Sequence, residues 1–451
     1  MIDDLKKIIV RFPPSPTGEL HIGNIRTFLF NYLFARKHNG KIIMRFEDTD
    51  LERSKKEYEQ IALDTLAKLG LDFDEGPFWQ SKRTDLYLDT LKKLISDGKA
   101  YEAEESKSGQ GRVIRFKNPN KEIVFNDIIR GEIKIDTTDF GDFIIARSLT
   151  NPLYHLTVVV DDIDMHITHI IRGEDHITST PRQILLFEAL GATIPSFAHL
   201  PLIIGKDKKK LGKRHGATTF AEFEKLGILP EAIINYLALL GWNPGDDREF
   251  FTKKDLIKEF SLERVNNSPA TFDYEKLYSI NKQHINKLSD DEFESLVIKF
   301  IPKNILTSLS AKQKNLLIHT VIKERINKFS DIDELFNPAG ELSWLAEQNI
   351  NYKPDKLIWK KSDKNKTIQN LELILELIQN TNNDFSAEVI KSKIWPIAEK
   401  EGKGDVLWPL RYAITGVDRS PDPFISSALA GKEITILRLK NAIDKLRAYE
   451  R

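Results

Sequence analysis

The chain contains no cysteine among its 451 residues. This absence excludes disulfide frameworks, thiol nucleophiles, zinc ribbons and iron–sulfur clusters. An excess of charge of one sign is also lacking, because 67 Lys and Arg residues balance 67 Asp and Glu residues. A uniformly basic nucleic-acid coat is therefore excluded, and any nucleic-acid surface must be a local patch.

Long hydrophobic runs are missing as well. No run approaches the roughly 18 apolar residues of a membrane span, so we expect no membrane contact. The apolar piece near the N-terminus stops at Pro13 and Pro14, which is too early for a signal-peptide core. With 41% hydrophobic and 30% charged residues, wholesale disorder is disfavoured. These features predict a soluble, cytoplasmic, multidomain protein.

Two common nucleotide-binding motifs are absent too. The sequence has no GxxxxGKS or GxxxxGKT phosphate loop, and no GxGxxG follows a predicted strand. An ordinary P-loop NTPase is therefore excluded, and the dinucleotide-binding fingerprint is missing.

The N-terminal pattern alternates strand and helix. Residues 7–12 read as a short buried strand that ends at PPSPTG, and a helix follows from Ile22 to a stop at Asn39-Gly40. Residues 41–46 predict a second strand, and the next helix ends near Gly70. This alternation predicts a parallel α/β sheet, whose ligands bind beyond the carboxyl ends of the strands. The segments 13–21 and 47–50 occupy such positions.

The pattern of predicted strands and helices changes twice further along the chain. Between about residues 76 and 152, short β-like runs and polar turns predict an insertion with its own antiparallel sheet. The α/β pattern resumes at Tyr154. After about Gly216 the sequence predicts helices up to Arg451.

The string LHIGN places His21 at the start of the first helix. Gly18 and Gly23 allow a ligand to approach the backbone there, and helix N-terminal amides attract phosphate. We interpret this segment as a cradle for nucleotide phosphates. The alternative is that His21 only caps the helix while Gly23 relieves a tight turn.

The string GKDKKKLGKRHG, residues 205–216, contains six Lys or Arg residues and one acid between flanking glycines. This composition predicts a mobile loop whose ammonium groups can reach developing phosphate charge. A solvated basic loop, or one that touches RNA without catalysis, is the alternative.

Histidines and aspartates cluster in the middle of the chain and could suggest a metal site. They are His166, His169, His176, Asp161, Asp162 and Asp164. We expect a cleft-facing polar strand instead, because successive strand residues point to opposite faces and cannot all converge on one ion.

Four motifs in register resemble the glutamyl-tRNA synthetases of bacterial type, which are class I aminoacyl-tRNA synthetases. They are RFPPSPTGELHIGN, RFEDTD, YHL…VVDD…IIRGEDH and KKKLGKRHG, and the similarity extends to SPATFDYEKL (268–277) and GKGDVLWPLRYAITGVDRSPDPF. The resemblance implies an α/β fold in which a Rossmann-like parallel-sheet catalytic domain carries an α+β insertion. All-α C-terminal domains are expected to follow.

The same resemblance implies a division of labour along the chain. Residues 1–77 and 153–206 would form the two halves of the catalytic domain, with an acceptor-end-binding insertion at 78–152 between them. Residues 207–290 would carry the lysine-motif loop and a stem-contact helical region. Residues 291–451 would form the helical anticodon-binding region.

The resemblance also assigns site residues. His21 and Lys213 are the implied catalytic residues, and the implied ATP-binding set is Pro14, Thr17, Gly18, His21, Gly23, Asn24, Lys210, Leu211, Lys213 and Arg214. The residues implied to bind glutamate are Arg11, Ser15, Glu47, Tyr154 and Arg172.

Elementary chemistry agrees with the glutamate-binding set. The guanidinium groups of Arg11 and Arg172 can clamp carboxylates and Glu47 can receive the ammonium. The alternative for each arginine is a structural ion pair. Arg325 is a candidate for reading the third anticodon base, or else a solvent-facing helix arginine.

The implied reaction is ATP-dependent ligation of L-glutamate to tRNA(Glu) through a glutamyl-adenylate, giving glutamyl-tRNA, AMP and pyrophosphate. Mg²⁺ would arrive with ATP, and we expect a monomer with no zinc and no other protein-bound metal. The family trait that tRNA binds before activation is implied as well. A paralogue that also charges, or prefers, tRNA(Gln) is the alternative.

Three positions depart from the family pattern. Gly212 stands where a serine is usual, Asn24 replaces the last histidine of the HIGH string, and AYEAEES (100–106) replaces zinc-binding cysteines. A small-molecule adenylyltransferase and the short relative that glutamylates a modified base are disfavoured by the long helical tail. A non-catalytic tRNA-binding paralogue is supported only by Gly212. Glutamine-tRNA synthetase is disfavoured because its C-terminal half is a β-barrel.

Overall fold

The N-terminal strand–helix pattern is confirmed by the computed structural model. The structure describes residues 7–50, 52–104, 111–212, 215–360, 362–381 and 384–449. These residues form two compact units, Met1–His284 and Ile285–Arg451, and each unit is described by itself.

The strands lie in the first unit. They are β1 (Ile9–Phe12), β2 (Lys41–Phe46), β3 (Glu75–Trp79), β4 (Ala100–Glu104), β5 (Arg112–Phe116), β6 (Glu122–Asp127), β7 (Gly131–Asp136), β8 (Phe143–Ser148), β9 (Asn151–Pro152), β10 (His169–Gly173), β11 (Ser196–Leu200), β12 (Ile203–Ile204) and β13 (Ala270–Thr271). The helices of this unit are α1 (Ile22–Lys37), α2 (Lys56–Lys68), α3 (Thr84–Ser96), α4 (Tyr154–Asp164), α5 (Thr180–Ala189), α6 (Phe220–Lys225), α7 (Pro230–Leu239), α8 (Lys253–Glu259) and α9 (Tyr274–Lys287), whose last turn belongs to the second unit.

A parallel sheet in the order β1–β2–β3 confirms the predicted Rossmann-like core. Strand β1 lies beside the start of β10, because the amide of Ile9 donates to Thr168 Oγ1 at 2.9 Å and the amide of Thr168 donates to the carbonyl of Ile9 at 2.9 Å. Strand β10 continues in parallel to β11. The carboxyl ends of β1, β2 and β10 therefore open on the same side of the unit, as the topology of parallel sheets requires.

Helix α1 packs in the centre of this unit against β1, β2, β10, α7 and α8. Its side chains are apolar on nearly every face, and Phe28, Leu29, Phe30 and Leu33 are fully buried. Burying each such side chain contributes roughly 1.5–3 kcal/mol. The helix ends as predicted, since the amide of Gly40 returns to the carbonyl of Ala35 at 2.8 Å.

The inserted segment differs from the prediction. Strands β4, β5, β8 and β9 form an antiparallel sheet, but the β6–β7 hairpin joins the other sheet in the order β10–β11–β6–β7. The pairing of Phe197 with Asp127 makes this joint parallel. The insertion therefore has an antiparallel sheet of its own, as predicted, but its β6–β7 hairpin joins the other sheet, because the outer edge of β11 is available to pair with β6.

The expectation of a polar strand for the histidine and aspartate cluster is wrong for its aspartates, which lie on a helix, whereas His169 begins strand β10. Residues 154–164 form helix α4, in which Leu156, Val159 and Val160 face the core at helical spacing. The β-branched run favours a strand locally, but the residues that join the hydrophobic core recur at the spacing of a helix. The strand begins later, at β10.

The second unit is helical, as predicted. Its helices are α10 (Asp290–Val297), α11 (Lys303–Ser308), α12 (Ala311–Asn315), α13 (Lys323–Arg325), α14 (Asp331–Phe336), α15 (Lys364–Gln379), α16 (Ala387–Glu401), α17 (Lys403–Thr415), α18 (Pro423–Ala430) and α19 (Lys432–Ala448). A π-helical turn, Leu316–Ile322, connects α12 to α13. Helix α15 packs against α17 and α19 through buried Leu371 and Ile374. In the described parts of both units, no helix combines the length and apolar character needed to cross a bilayer.

Candidate active site

Three neighbouring cavities lie where the strands of the parallel sheet end. One of 410 Å³ is lined by the turn after β1, the start of α1, the end of β10 and part of the loop at 205–212. Two others, of 360 and 310 Å³, share Ser15, Thr17, Glu47 and Tyr154. The turn after β1 is held to the end of β2, because the amide of Glu47 donates to the carbonyl of Pro14 at 3.1 Å.

His21 both caps helix α1 and faces the 410 Å³ cavity. Its Nδ1 accepts from the amide of Gly23 at 3.2 Å, and its own amide donates to Asn24 Oδ1 at 3.2 Å. Its Nε2 is buried and has no hydrogen-bond partner among the described residues. Burial and the nearby ammonium of Lys210 lower the pKa of His21, against the opposing effect of Glu222. The imidazole is therefore neutral, and capping leaves its second nitrogen free for a ligand.

The first-turn amides of α1 already have acceptors. The amide of Ile22 donates to the carbonyl of Thr218 at 2.9 Å, and that of Asn24 donates to the carbonyl of His21 at 2.8 Å. A phosphate at this helix start would therefore meet side chains and the helix dipole rather than free N–H groups. This corrects the expectation that backbone amides form the cradle.

Two glycines leave space around His21. A Cβ at Gly18 would meet nothing within 4 Å, and one at Gly23 would meet only His21 Nδ1 at 3.6 Å. Packing within the described residues therefore does not require either glycine. Pro14 and Asn24 line the 410 Å³ cavity, and Thr17 and Gly18 line the neighbouring 360 Å³ cavity.

The loop at 205–212 folds back on β12. The amide of Leu211 donates to the carbonyl of Ile203 at 3.0 Å, and Lys210 pairs with Ile204 in an isolated bridge. The Lys210 ammonium lies 3.5 Å from Asp175 Oδ2, and Lys210 and Leu211 line the 410 Å³ cavity. The predicted Lys213 and Arg214 lie outside the described residues.

Arg11, on β1, belongs to a buried charge network. Its Nε donates to Asp162 of α4 at 3.3 Å, and Arg45 Nη1 donates to the same carboxylate at 2.8 Å. Arg45 Nη2 in turn lies 3.3 Å from Glu47 Oε1. Arg11 Nη1 is buried without a partner in the described part of the chain. Arg11 thus takes part in a structural ion pair, and its Nη1 remains a donor that a ligand can use.

Glu47 is a carboxyl group with an unusual proton affinity. Its side chain is only 10% exposed. Burial raises the pKa of Glu47 to about 7, although the guanidinium groups of Arg45 and Arg11 oppose the shift. The carboxyl is therefore poised to ionise when a cation arrives beside it.

Arg172 is buried at the end of β10 among neutral partners. Its Nε donates to His199 Nε2 at 3.2 Å, its Nη1 to Gln183 Oε1 at 2.7 Å and its Nη2 to Thr180 Oγ1 at 2.8 Å. Within the described part of the chain Arg172 forms no ion pair. Burial lowers the pKa of Arg172 to about 10. Each terminal nitrogen keeps one N–H for a ligand.

Tyr154 closes the site from the start of α4. Its hydroxyl lies 3.1 Å from His176 Nδ1. Burial raises the pKa of Tyr154 to about 12, and the carboxylate of Glu47 acts in the same direction. The phenol is therefore neutral, and its contact with His176 leaves at least one oxygen lone pair for a ligand beside Glu47 and Ser15.

Sequence reasoning missed several residues that build this site. They are Arg45, Thr180, Gln183 and His199, whereas Asp162 and His176 were named only as members of the histidine and aspartate cluster. Thr180 and Gln183 are three apart on α5, which is a helical signal, but nothing local connects them to Arg172. The pairing of Arg172 with His199 follows from the β10–β11 register, which joins residues 27 positions apart.

The aspartates that suggested a metal site form ion pairs with arginines. Asp161 accepts from Arg83 Nε at 2.8 Å, and Asp162 accepts from Arg11 and Arg45. Across the described residues, no three His, Cys, Asp or Glu side chains are grouped as metal ligands. The described acids of this cluster are thus charge partners of cations supplied by the chain.

Arg325, in the second unit, is the last residue of α13. Its Nε donates to Glu341 Oε2 at 3.1 Å and its Nη1 donates to the carbonyl of Val321 at 3.1 Å. Its side chain is 24% exposed. Arg325 is therefore engaged in a partly exposed ion pair rather than simply facing solvent.

Comparison with known proteins agrees with this geometry. The sequence matches "tRNA synthetases class I (E and Q), catalytic domain" over residues 7–108 and 102–279, and "Anticodon binding domain" over 275–443. The glutamate–tRNA ligase of Aquifex aeolicus is 41% identical, with 98% of this chain and all of that protein covered. Glutamate–tRNA ligase 1 of Caldanaerobacter subterraneus subsp. tengcongensis is 39% identical, with 97% and 98% covered.

A solved structure agrees as well. The glutamate tRNA ligase from Elizabethkingia meningosepticum, in complex with its amino acid, has a TM-score of 0.85 at 30% identity and covers 98% of this chain and 100% of that one. Fold and site together define a class I aminoacyl-tRNA synthetase. Within that class, the chain belongs to the glutamyl-tRNA synthetase family of aminoacyl-tRNA ligases, which confirms the resemblance inferred from its motifs.

Proposed function

We propose that this protein ligates L-glutamate to tRNA(Glu) with ATP, through a glutamyl-adenylate. The α-carboxylate of glutamate attacks the α-phosphorus of ATP in line and pyrophosphate leaves. The terminal ribose hydroxyl of the tRNA then attacks the activated carbonyl, and AMP leaves. Neither step requires a protein nucleophile, so catalysis rests on positioning and on stabilisation of developing charge.

The observation that carries this proposal is Arg172, a buried cation whose hydrogen-bond partners are all neutral. A buried charge without a counter-ion is costly unless a ligand supplies one. Glutamate offers two carboxylates for Arg172 and Arg11, and an ammonium for Glu47. Arg172 lines the 410 Å³ cavity, and Ser15 and Tyr154 add hydroxyl groups around the two neighbouring cavities. The site thus matches an amino acid with one extra negative charge.

The nucleotide would occupy the part of the 410 Å³ cavity that His21 and Lys210 line, next to the part that Arg172 lines. His21 Nε2 is an unused buried donor on one side, because Nδ1 accepts from Gly23, and Lys210 brings a cation to the other side. Lys213, three residues beyond Lys210, is proposed to meet the α-phosphate. Mg²⁺ would be held mainly by the ATP phosphates, as is usual for this ion, and would neutralise their charge.

Each of the two units would contact the tRNA. A cavity of 920 Å³ lies between the α/β half and the inserted segment, and it reaches Tyr154. Arg53 and Arg147 line it, so the acceptor end would find cations on its way to the amino-acid site. Residues 78–152 are therefore proposed to receive the acceptor end, and the helical region 291–451 the anticodon.

Charging of purified tRNAs tests the proposal. The protein, MgATP and labelled L-glutamate are incubated with tRNA(Glu) and, side by side, with tRNA(Gln). We expect glutamylation of tRNA(Glu) that depends on ATP. No label on tRNA(Glu) would reject the function. The names of the relatives give no support to the alternative of a tRNA(Gln)-preferring paralogue. Charging of tRNA(Gln) that equals or exceeds charging of tRNA(Glu) would favour that alternative.

A further inference from the structure

Arg172 is the end of a buried chain of three side chains that begins in the inserted segment. Asp127, the last residue of β6, accepts from His199 Nδ1 at 2.6 Å, and His199 Nε2 accepts from Arg172 Nε at 3.2 Å. The Asp127 and His199 side chains are fully buried. The rings of Phe125 and Phe197 lie against the imidazole, with centroids 6.4 and 6.0 Å away. This contact chain is called the Asp127–His199–Arg172 relay.

The hydrogen-bond pattern of the relay fixes the tautomer of His199. A carboxylate can only accept, so His199 Nδ1 carries the proton and Nε2 remains an acceptor. Arginine can only donate, so Arg172 Nε requires that acceptor. A proton on His199 Nε2 would place two donors face to face. The carboxylate of Asp127 thus determines whether Arg172 can keep its observed orientation.

Asp127 is itself firmly held. Its carboxylate accepts from the amides of Ile129 and Arg130 at 3.0 and 2.9 Å, and from the amide of His199 at 3.0 Å. Burial raises the pKa of Asp127, but these donors and His199 more than offset it, so that the pKa lies below its ordinary value. Asp127 is charged and His199 is neutral. The imidazole of His199 therefore separates the guanidinium of Arg172 from the carboxylate of Asp127.

We propose that Asp127 and His199 are positioning residues for glutamate binding. They orient Arg172 through a neutral imidazole, which supplies a hydrogen bond without neutralising the guanidinium. A direct Asp–Arg contact would orient Arg172 as well, but it would compete with the carboxylate of the ligand. The inserted segment therefore contributes Asp127, on β6, to the relay that orients Arg172. This inference rests on the proposed function, in which Arg172 binds glutamate.

The test compares variants that break different contacts of the relay. His199→Asn keeps an amide near the Nδ1 position and loses the acceptor for Arg172, whereas His199→Gln can present its Oε1 near the Nε2 position. Asp127→Asn lets an amide donate to Nδ1, which moves the proton to Nε2. The control is His169→Asn, which removes an imidazole on β10 that packs on Phe34, outside the cavities.

The KM for L-glutamate and the KM for ATP are measured in the charging reaction, with the thermal unfolding midpoint of each variant. Losing a hydrogen bond to a charged group corresponds to a roughly tenfold to hundredfold change. We therefore expect His199→Asn and Asp127→Asn to raise the KM for glutamate by that factor, while the KM for ATP changes less than about twofold. His199→Gln should recover most of the loss, and His169→Asn should match the wild type.

An unchanged KM for glutamate in folded His199→Asn would overturn the proposal. An equal rise of both KM values in all relay variants would also overturn it, because general distortion would then explain the effect. If Asp127→Asn does not fold, the two His199 variants decide. Failure of the wild type to charge tRNA(Glu) would reject the proposed function, whereas normal wild-type charging with an insensitive His199→Asn would reject only the relay.

Discussion

Arg45 and Asp162 form an ion pair at 2.8 Å in which neither side chain is exposed. Asp162 also accepts from Arg11, so one carboxylate from α4 holds two arginines from adjacent strands. Breaking such a pair leaves uncompensated buried charge, which typically costs about 3–5 kcal/mol. Loss of this ion pair is therefore expected to destabilise the first unit strongly.

The substitution Asp162→Asn should lower the free energy of unfolding of the first unit by about 3–5 kcal/mol. The physical reason is that two buried guanidinium groups lose their shared anion. Urea unfolding followed by circular dichroism measures the change. Asp164→Asn, on the same helix with a side chain that is 51% exposed, is the control and should cost about 1 kcal/mol or less. Equal effects of the two substitutions would contradict this account.

Binding of glutamate should depend on pH through Glu47. Burial raises the pKa of Glu47 to about 7, above its unfolded value of 4.5. Between those values the folded state binds the extra proton, so ionisation of Glu47 lowers the free energy of unfolding as the pH rises through this window. An ammonium ligand needs the ionised form, and affinity for glutamate should therefore fall by up to about tenfold per pH unit below pH 7.

Calorimetric titration with L-glutamate between about pH 5.5 and 8 measures this dependence. Glu47→Gln is the matched variant, because it keeps the shape of the side chain and removes its titration. It should bind weakly with a flat pH profile over this range. A wild-type affinity that does not vary with pH would show that Glu47 does not receive the ammonium.

Loss of the lysine-motif ammonium should act on the chemical step. We expect Lys213→Ala to slow tRNA-dependent ATP–pyrophosphate exchange by on the order of a hundredfold, because one charge contact to the transition state is removed. Lys206→Ala, an exposed lysine of the same loop, is the control and should leave the rate unchanged. An unchanged rate of exchange in Lys213→Ala would show that this lysine does not act in the chemical step.

In the second unit, Arg325→Gln tests anticodon reading. The substitution removes the partly exposed ion pair with Glu341, which should cost at most about 1 kcal/mol of stability. If Arg325 reads the third anticodon base, the ratio of kcat/KM for tRNA(Glu) over tRNA(Gln) should fall. An unchanged ratio would leave Arg325 with a structural role only.

Local patterns predict the order of elements because strands and helices bury their side chains with different periods. The strand 41–46, helix α1 and the stop at Asn39-Gly40 all follow from residues close in sequence. Residues 154–164 were predicted wrongly, because their β-branched run favours a strand, whereas they form a helix that is buried continuously from Leu156 to Asp162. Nothing adjacent in sequence indicated that β6 would leave the insertion's sheet and pair with β11.

The site divides in the same way. His21, Glu47 and Arg172 stand at the ends of predicted strands or the start of a helix, so topology alone nominates the first two and the motif resemblance adds the third. His199 and Asp127 could not be found, because their role depends on strand register across 27 and 72 positions. The unused donor of Arg11 is likewise a property of packing, visible only when Asp162 is in place.

We infer that the guanidinium of Arg172 binds a carboxylate of glutamate. Titration of L-glutamate into the wild type and into Arg172→Gln tests this inference most directly. Loss of a buried charge partner for the ligand predicts weaker glutamate binding by about thirtyfold or more in the variant, with MgATP affinity within about twofold of wild type. Equal glutamate affinity in the two proteins would contradict the account.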